Sequence, residues 1–365
     1  MYVMKKQMTL CLMLCAMLAL VFCPVSKPKA EGDHMNAHDY ALFDLHLHLD
    51  GSLSIASVRE LAALQDISID KSDEELLPLL QVSPDCKDLN EYLEKFDFTC
   101  SLLQTKEALS TAVYNLKKEL KDLGMLYAEI RFAPQLHMQN GLTQAEIVEA
   151  AIEGMNRCDF PSSLILCCMR GDTNHDQNIE TVRMAKEYLG KGVAALDIAG
   201  AEALYPTDGF EDLFALAKEL GIPYTIHAGE ADGPSSVYRA LEFGAKRIGH
   251  GVRSVEDAAL IKKLADEQVT LELCPTSNLN TNIFETLAEY PLTKLMDAGV
   301  KVTINSDNMV VSGTNVQMEI QKLIDTFALS HEQLKTLVYN AVDASFADEQ
   351  TKEYLRTELA KRFED

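Results

Sequence analysis

The amino-acid sequence predicts an α/β protein folded as a (β/α)8 TIM barrel, with extra helices after strand one and at the C-terminus. Three observations support this. From Ala41 onward, eight strand-like runs alternate with helical patterns. Most of the runs are continuously apolar, as expected of parallel strands covered on both faces. Residues with metal-binding and acid–base chemistry stand at the ends of the runs, the rim where a barrel places its reactive groups. A doubly wound open sheet is the competing arrangement of the same units. With 365 residues, 47% of them hydrophobic, the chain can bury the core of one large domain, set here at residues 40–365.

The first strand leads into Asp44-Leu45-His46-Leu47-His48-Leu49-Asp50-Gly51-Ser52. Side chains two apart in a strand share a side, so His46 and His48 can present two imidazoles to one metal ion. Asp50 continues that side and Gly51 ends the run. Residues 53 to about 122 read as helices and loops, aromatic-rich from Leu89 to Leu103 and helical from Ala108 to Leu120. Leu126–Phe132 is the second strand. Thr143-Gln144-Ala145-Glu146 forms a capping box, with Leu142 and Ile147 as its hydrophobic staple. The helix it opens carries Ala145, Val148, Ile152 and Met155 along one face. Six more strands are expected at Ser163–Met169, Val193–Ala199, Pro223–Ala228, Lys246–His250, Val269–Cys274 and Val300–Ser306. Helices intervene at Asn178–Leu189, after an Asp208–Glu211 cap with Gly221 as the stop, at Ser236–Phe243, after a Ser254–Asp257 cap, and at Pro291–Ala298. Helices at Val316–Ala328 and His331–Arg362 close the chain.

A formal net charge of −23 lacks the basic footprint that nucleic-acid binding needs, so the expected partner is a small molecule. Residues 1–30 stand apart. Lys5 and Lys6 precede an apolar run from Leu10 to Phe22, too short to span a membrane but matching the start of a secretory signal peptide. Lys27-Pro28-Lys29-Ala30 is a poor cleavage site, and Phe22 is bulky before Cys23 for a lipoprotein box. The opposing reading is a start assigned too early, with Met35 as the true first residue and a cytoplasmic protein. No membrane span is expected in residues 40–365. Three of the nine cysteines, Cys11, Cys15 and Cys23, lie in the leader. Cys86, Cys100, Cys158, Cys167, Cys168 and Cys274 show no CxxC pair, which argues for a reducing compartment rather than a disulfide scaffold. Cys167 and Cys168 read as buried small hydrophobes.

The strand ends can be read off in turn. Strand one ends in His46, His48 and Asp50, and strand four in Asp197 and Gly200. Strand five ends in His227 with Glu230 beyond it, and strand six in His250. Strands seven and eight end in Cys274-Pro275-Thr276-Ser277-Asn278 and Asn305-Ser306-Asp307-Asn308. A lone histidine at a strand end is more often a hydrogen-bonded core residue than a ligand, and Asp307 alone could cap a helix. Independent structural histidines would not all fall at one rim, so the joint pattern points to metal-assisted chemistry. His34, His38, His137, His175 and His331 have no such placement and read as surface or loop.

Together these stretches resemble the motifs of the adenosine deaminase family of zinc amidohydrolases. Asp44–Ser52 resembles its first metal motif, Thr225-Ile226-His227-Ala228-Gly229-Glu230 its second, and Arg247-Ile248-Gly249-His250-Gly251 its third. Cys274–Asn278 and Thr303–Asn308 match the last two, so the resemblance runs over residues 41–315. It implies one Zn²⁺ bound by His46, His48, His227 and Asp307. It implies hydrolytic deamination of adenosine and 2′-deoxyadenosine, with Glu230 as proton donor to purine N1 and His250 and Asp307 assisting the attacking hydroxide. Gly200 would meet purine N3 and Asp50 the ribose, with Tyr92 and Phe96 in an apolar lid. The sequence departs from the family's adjacent aspartates at Asn308, followed by Met309. An amide donates to N7 outright, whereas a carboxylate must first be protonated, so the purine preference is expected to survive. A related aminohydrolase of adenine or of a modified nucleoside such as 6-aminodeoxyfutalosine is the enzymatic alternative. The other zinc deaminase class, with H-x-E and P-C-x-x-C, finds no match here. An exported deaminase-like binding protein should have lost ligands, and none is missing.

Overall fold

Eight parallel strands form the centre among the described residues. They are β1 (Phe43–His48), β2 (Tyr127–Phe132), β3 (Ser162–Met169), β4 (Val193–Ala199), β5 (Thr225–Ala228), β6 (Arg247–His250), β7 (Thr270–Leu273) and β8 (Lys301–Ile304). The computed structural model describes residues 35–363, so both readings of residues 1–30, and His34, lie outside the described residues. β1 to β4 pair in sequence order, and so do β5 to β8. Backbone bridges join the two halves: Leu196 to Tyr224 at the entry of β5, and Leu47 to Asp307 at the exit of β8. The ring is closed, which excludes the open sheet and leaves no strand edge. No helix of the described residues is long and apolar enough to cross a membrane.

The outward strand positions are apolar and buried under helices, but the interior is not apolar throughout. Glu129 and Arg131 of β2, Asp197 of β4, Arg247 of β6 and Glu272 of β7 are all buried. Arg131 pairs with Asp197 at 2.7 Å and with Glu272 at 2.9 Å. Arg247 pairs with Glu272 at 2.7 Å and with Glu129 at 2.6 Å. Buried charge persists there because each group meets an opposite one.

Several local expectations shift. β1 stops at His48, and Asp50 opens a 3-10 turn, Asp50–Ser52. That turn folds onto the exit of β8, where Val310 and Val311 N–H bond to Gly51 O and Met309 N–H to Ser52 Oγ. The Thr143 and Glu146 capping box is present. The buried face of its helix is instead Ile147, Val148, Ala151, Gly154 and Met155, with Ala145 and Ile152 half-buried. Gly154 sets that rotation, because a Cβ there would lie 2.3 Å from Ser110 O on the neighbouring helix Lys106–Asp122.

Asp208 does not cap the next helix. It sits in the turn Thr207–Phe210 and pairs with Arg239, and the helix Glu211–Glu219 begins without a side-chain cap. Gly221 follows that helix in the left-handed conformation, as a stop should. Ser254 is buried in a 3-10 turn, Val252–Glu256, which delays the helix, so Asp257 caps it by accepting from Ala259 and Leu260 N–H. A short helix, Pro275–Asn280, precedes Leu292–Asp297.

The closing segment is two helices, His331–Ala344 and Glu349–Phe363. The break enters the barrel floor. Phe346 N–H donates to Glu129 Oε1 at 2.5 Å, and the Phe346 ring lies 4.0 Å from the Arg247 guanidinium. The buried floor charges thus take contacts that a continuous helix would have kept.

Candidate active site

The rim brings together the groups that the sequence scatters. β1 supplies His46 and His48, β5 supplies His227, and Asp307 follows β8. His48 Nε2 lies 3.3 Å from His227 Nε2. Asp307 Oδ1 lies 3.5 Å from His46 Nε2 and 3.4 Å from His48 Nε2. One donor atom from each of the four falls within 4.8 Å of the others, so this group could hold a metal ion. His46 Nε2 is buried without a hydrogen-bond partner, as expected for a lone pair reserved for a cation. Burial pushes His48 and His227 below the ordinary imidazole range, which keeps them neutral and able to ligate. Burial works against the Asp307 charge, but the adjacent His46 holds it as a carboxylate, below its usual range.

Backbone strain marks the same rim. His250 and Asp307 have φ of 58° and 61°, left-handed values that non-glycine residues rarely adopt. Each costs about 1–3 kcal/mol, a strain that clusters at functional sites.

The imidazoles are aimed from behind. His46 Nδ1 donates to Glu272 Oε2 at 2.8 Å. His227 Nδ1 lies 2.9 Å from Asp197 Oδ2, at ion-pair distance rather than in an aligned hydrogen bond. A carboxylate on Nδ1 leaves Nε2 facing the centre. Gly249 makes room, since a Cβ there would lie 3.0 Å from His46 Cε1 and 3.2 Å from His227 Cα.

Glu230 and His250 face each other, with His250 Nε2 3.6 Å from Glu230 Oε2. Burial, then the neighbouring Asp307 and Glu202 carboxylates, push Glu230 well above the usual carboxylic range. The shift runs toward the protonated acid, the form that a proton donor needs. Burial pushes His250 well down, so it is neutral. His250 Nδ1 meets Asn278 Nδ2 at 3.2 Å, and Tyr290 OH donates to Asn278 Oδ1 at 3.1 Å. The Glu230 loop is tied to Glu202, whose carboxylate accepts N–H from Gly229, Glu230, Ala231 and Asp232 at 2.7–3.0 Å.

A cavity of about 400 Å³ opens onto this cluster, within the range of small-molecule sites. His48, His227, Glu230, His250 and Asp307 line it at one end, with Asp50, Gly200, Asn308, Tyr92 and Phe96 around it. Each of the sequence-predicted site residues therefore reaches the cavity, except His46, which lies behind its lining. Gly200 adopts φ 110° at the end of β4, a conformation that suits glycine. Asp50 Oδ1 is buried without a partner, while Oδ2 receives a 3.5 Å contact from Cys100 Sγ. Burial raises the Asp50 carboxyl to about 6. Tyr92 OH bonds to Ser312 Oγ at 2.7 Å.

One expectation fails here. His137 is not at the surface; it is fully buried behind the cavity wall. Sequence reasoning also missed Glu272 and Glu202, and gave Asp197 no task. Glu272 left a signal, a lone carboxylate inside Leu271-Glu272-Leu273. Glu202 left none beyond its closeness to Gly200.

The adenosine deaminase family model matches residues 42–362. A protein of Haemophilus ducreyi named adenosine deaminase is 46% identical over 333 residues, covering 89% of this chain and 97% of that one. Its namesake in Enterococcus faecalis is 40% identical over 326 residues, covering 88% and 96%. The solved structure of an adenine deaminase from Arthrobacter aurescens superposes with TM-score 0.79 at 28% identity, covering 89% of this chain and 99% of that one. The arabidopsis ADAL protein complexed with GMP has TM-score 0.79 at 23% identity, covering 89% and 98%, and shares the fold. The chain belongs to the adenosine deaminase family and is a hydrolase of its amidohydrolase fold.

Proposed function

We infer that this protein catalyses the hydrolytic deamination of adenosine, and of 2′-deoxyadenosine, to the inosine product and ammonia. The observation that carries this is a buried Glu230, facing His250, set beside four metal-type donors in one cavity. The donor set of three imidazoles and one carboxylate suits Zn²⁺, held by His46, His48, His227 and Asp307. Held by these four residues, a zinc ion would supply a water acidic enough to attack near neutral pH.

The chain's own residues handle the rest. Glu230 donates its proton to purine N1, which makes C6 electrophilic; the water oxygen adds to C6, one of its protons passes to the amino group, which leaves as ammonia, and the other returns to Glu230. Neutral His250, steadied by Asn278, orients the attacking oxygen, and Asp307 assists from the other side. The Gly200 backbone N–H meets N3, and Asn308 donates an amide hydrogen to N7. Tyr92 and Phe96 cover the bound purine.

The adenine deaminase likeness motivates a second reading, with the free base as substrate. The partnerless Asp50 Oδ1 favours a nucleoside, because a ribose hydroxyl can donate to it and adenine would leave it orphaned. Rates on adenosine, 2′-deoxyadenosine and adenine, measured side by side with zinc-loaded protein, test this. Faster turnover of adenine than of either nucleoside would sink the nucleoside assignment.

A further inference from the structure

Arg131 is the last residue but one of β2, beneath the cavity, with no exposed surface. Its Nη1 donates to Asp197 Oδ2 at 2.7 Å. Its Nη2 donates to Glu272 Oε2 at 2.9 Å and to Leu45 O at 2.5 Å. Both carboxylate oxygens are the ones that face ligand imidazoles. Glu272 Oε2 accepts from His46 Nδ1 at 2.8 Å, and Asp197 Oδ2 lies 2.9 Å from His227 Nδ1. Leu45 immediately precedes His46, so the same cation also pins the backbone of the ligand strand.

Arg247 makes a useful contrast. It too pairs with Glu272, but through Oε1, the oxygen turned away from His46. Its other carboxylate partner is Glu129 on the barrel floor, and its Nη2 reaches Leu45 O at 3.1 Å, longer than the Arg131 bond to the same oxygen. The planar guanidinium spans two carboxylates on different strands in a fixed geometry, which the compact ammonium of lysine does not reproduce.

We propose that Arg131 is a positioning residue that aims two of the metal-ligand imidazoles, His46 and His227, through a shared guanidinium. The proposal rests on the ligand assignment above. Partners behind a metal ligand change metal affinity about 10- to 100-fold, which sets the expected size.

The test compares the full-length wild type with Arg131→Lys, Arg131→Met and Arg247→Lys. Each is stripped of metal and reloaded. Circular dichroism checks the fold, chelator competition gives the zinc dissociation constant, and the absorption spectrum of the cobalt form reports ligand geometry. Arg131→Met strips the counter-charge from two buried carboxylates and can unfold the chain. Arg131→Lys keeps the charge, so the decision stands on that variant. It should fold, bind zinc about 10- to 100-fold more weakly, and show an altered cobalt spectrum. Arg247→Lys should keep zinc affinity and spectrum close to wild type. Wild-type affinity and spectrum in folded Arg131→Lys overturn the proposal, and so do equal losses in the Arg131 and Arg247 variants. A wild type that binds no zinc fails the ligand assignment itself, a different outcome from either.

Discussion

His137 ends the turn Pro134–His137 beyond β2, fully buried, with neither ring nitrogen hydrogen-bonded. Its nearest ring is Phe132, with centroids 5.9 Å apart. Burial pushes its pKa from 6.5 down to about 4. In the unfolded chain this imidazole takes up a proton as pH falls through 6.5, whereas the folded chain refuses it until about 4. The unfolded state thus binds more protons within that window, so stability falls as pH falls across it. At about 1.4 kcal/mol per pKa unit, the full window is worth about 3 kcal/mol, and descent to pH 5 costs about 2 kcal/mol. The perturbation is His137→Leu, which fills the site without titrating. Thermal melts of both proteins from about pH 7.5 to pH 5 supply the assay. Asp44 and Asp50, whose carboxyls burial raises to about 7 and about 6, bias stability in the opposite sense. Both occur in either protein and cancel in the difference. The variant should gain on wild type by about 2 kcal/mol at pH 5, a shift of a few degrees in Tm. A difference that stays constant with pH refutes the reasoning, because it means that His137 keeps its proton when folded.

Four further outcomes follow from the site. Glu230→Gln keeps the shape but loses the proton donor, so kcat should fall about 10²- to 10⁴-fold while zinc content stays at the wild-type level; full activity would void the role. Gly51→Ala would place a Cβ 1.8 Å from Asn308 Oδ1, pushing that amide off the purine. Its kcat/KM should fall about 10²-fold with an unchanged dichroism spectrum, since small misplacements at a reacting centre are costly. Asn308→Asp makes the N7 contact depend on a proton, so kcat/KM should decline as pH rises through the new carboxyl's pKa, a limb that the wild type lacks. N-terminal sequencing of the secreted or cytosolic protein distinguishes the export signal from the early start: the first reading puts the mature end after residue 30, the second at Met35.

The barrel was legible because its signal is periodic and repeated. Each strand–helix unit declares itself within about 40 residues, and eight in succession leave few topologies. The rim was legible because histidines, Asp307 and Glu230 stand at strand ends, where register matters little. Helix starts were less legible. Asp208 and Ser254 have the composition of caps, yet each sits in a 3-10 turn that the chain makes while leaving the barrel. Cap chemistry is local, but the choice between a turn and a helix start is set by what the turn must pack against. The exposure of His137 failed for a similar reason, since an isolated imidazole carries no mark of burial.

The layer beneath the rim was invisible for a physical reason. Arg131 finds Asp197 and Glu272 across sequence separations of 66 and 141 residues, and neither pairing follows from composition or period. Only the closed register brings the inward positions of β2, β4 and β7 to one level. Once closed, the contacts run in series: Phe346 to Glu129, Glu129 to Arg247, Arg247 to Glu272, and Glu272 to His46. The break in the last helical segment and a histidine of the first strand are therefore ends of one buried chain of contacts. A charge removed anywhere along it leaves an unpaired ion in the interior, costing about 3–5 kcal/mol. This explains how a barrel that binds its substrate at one end can require charged residues at the other.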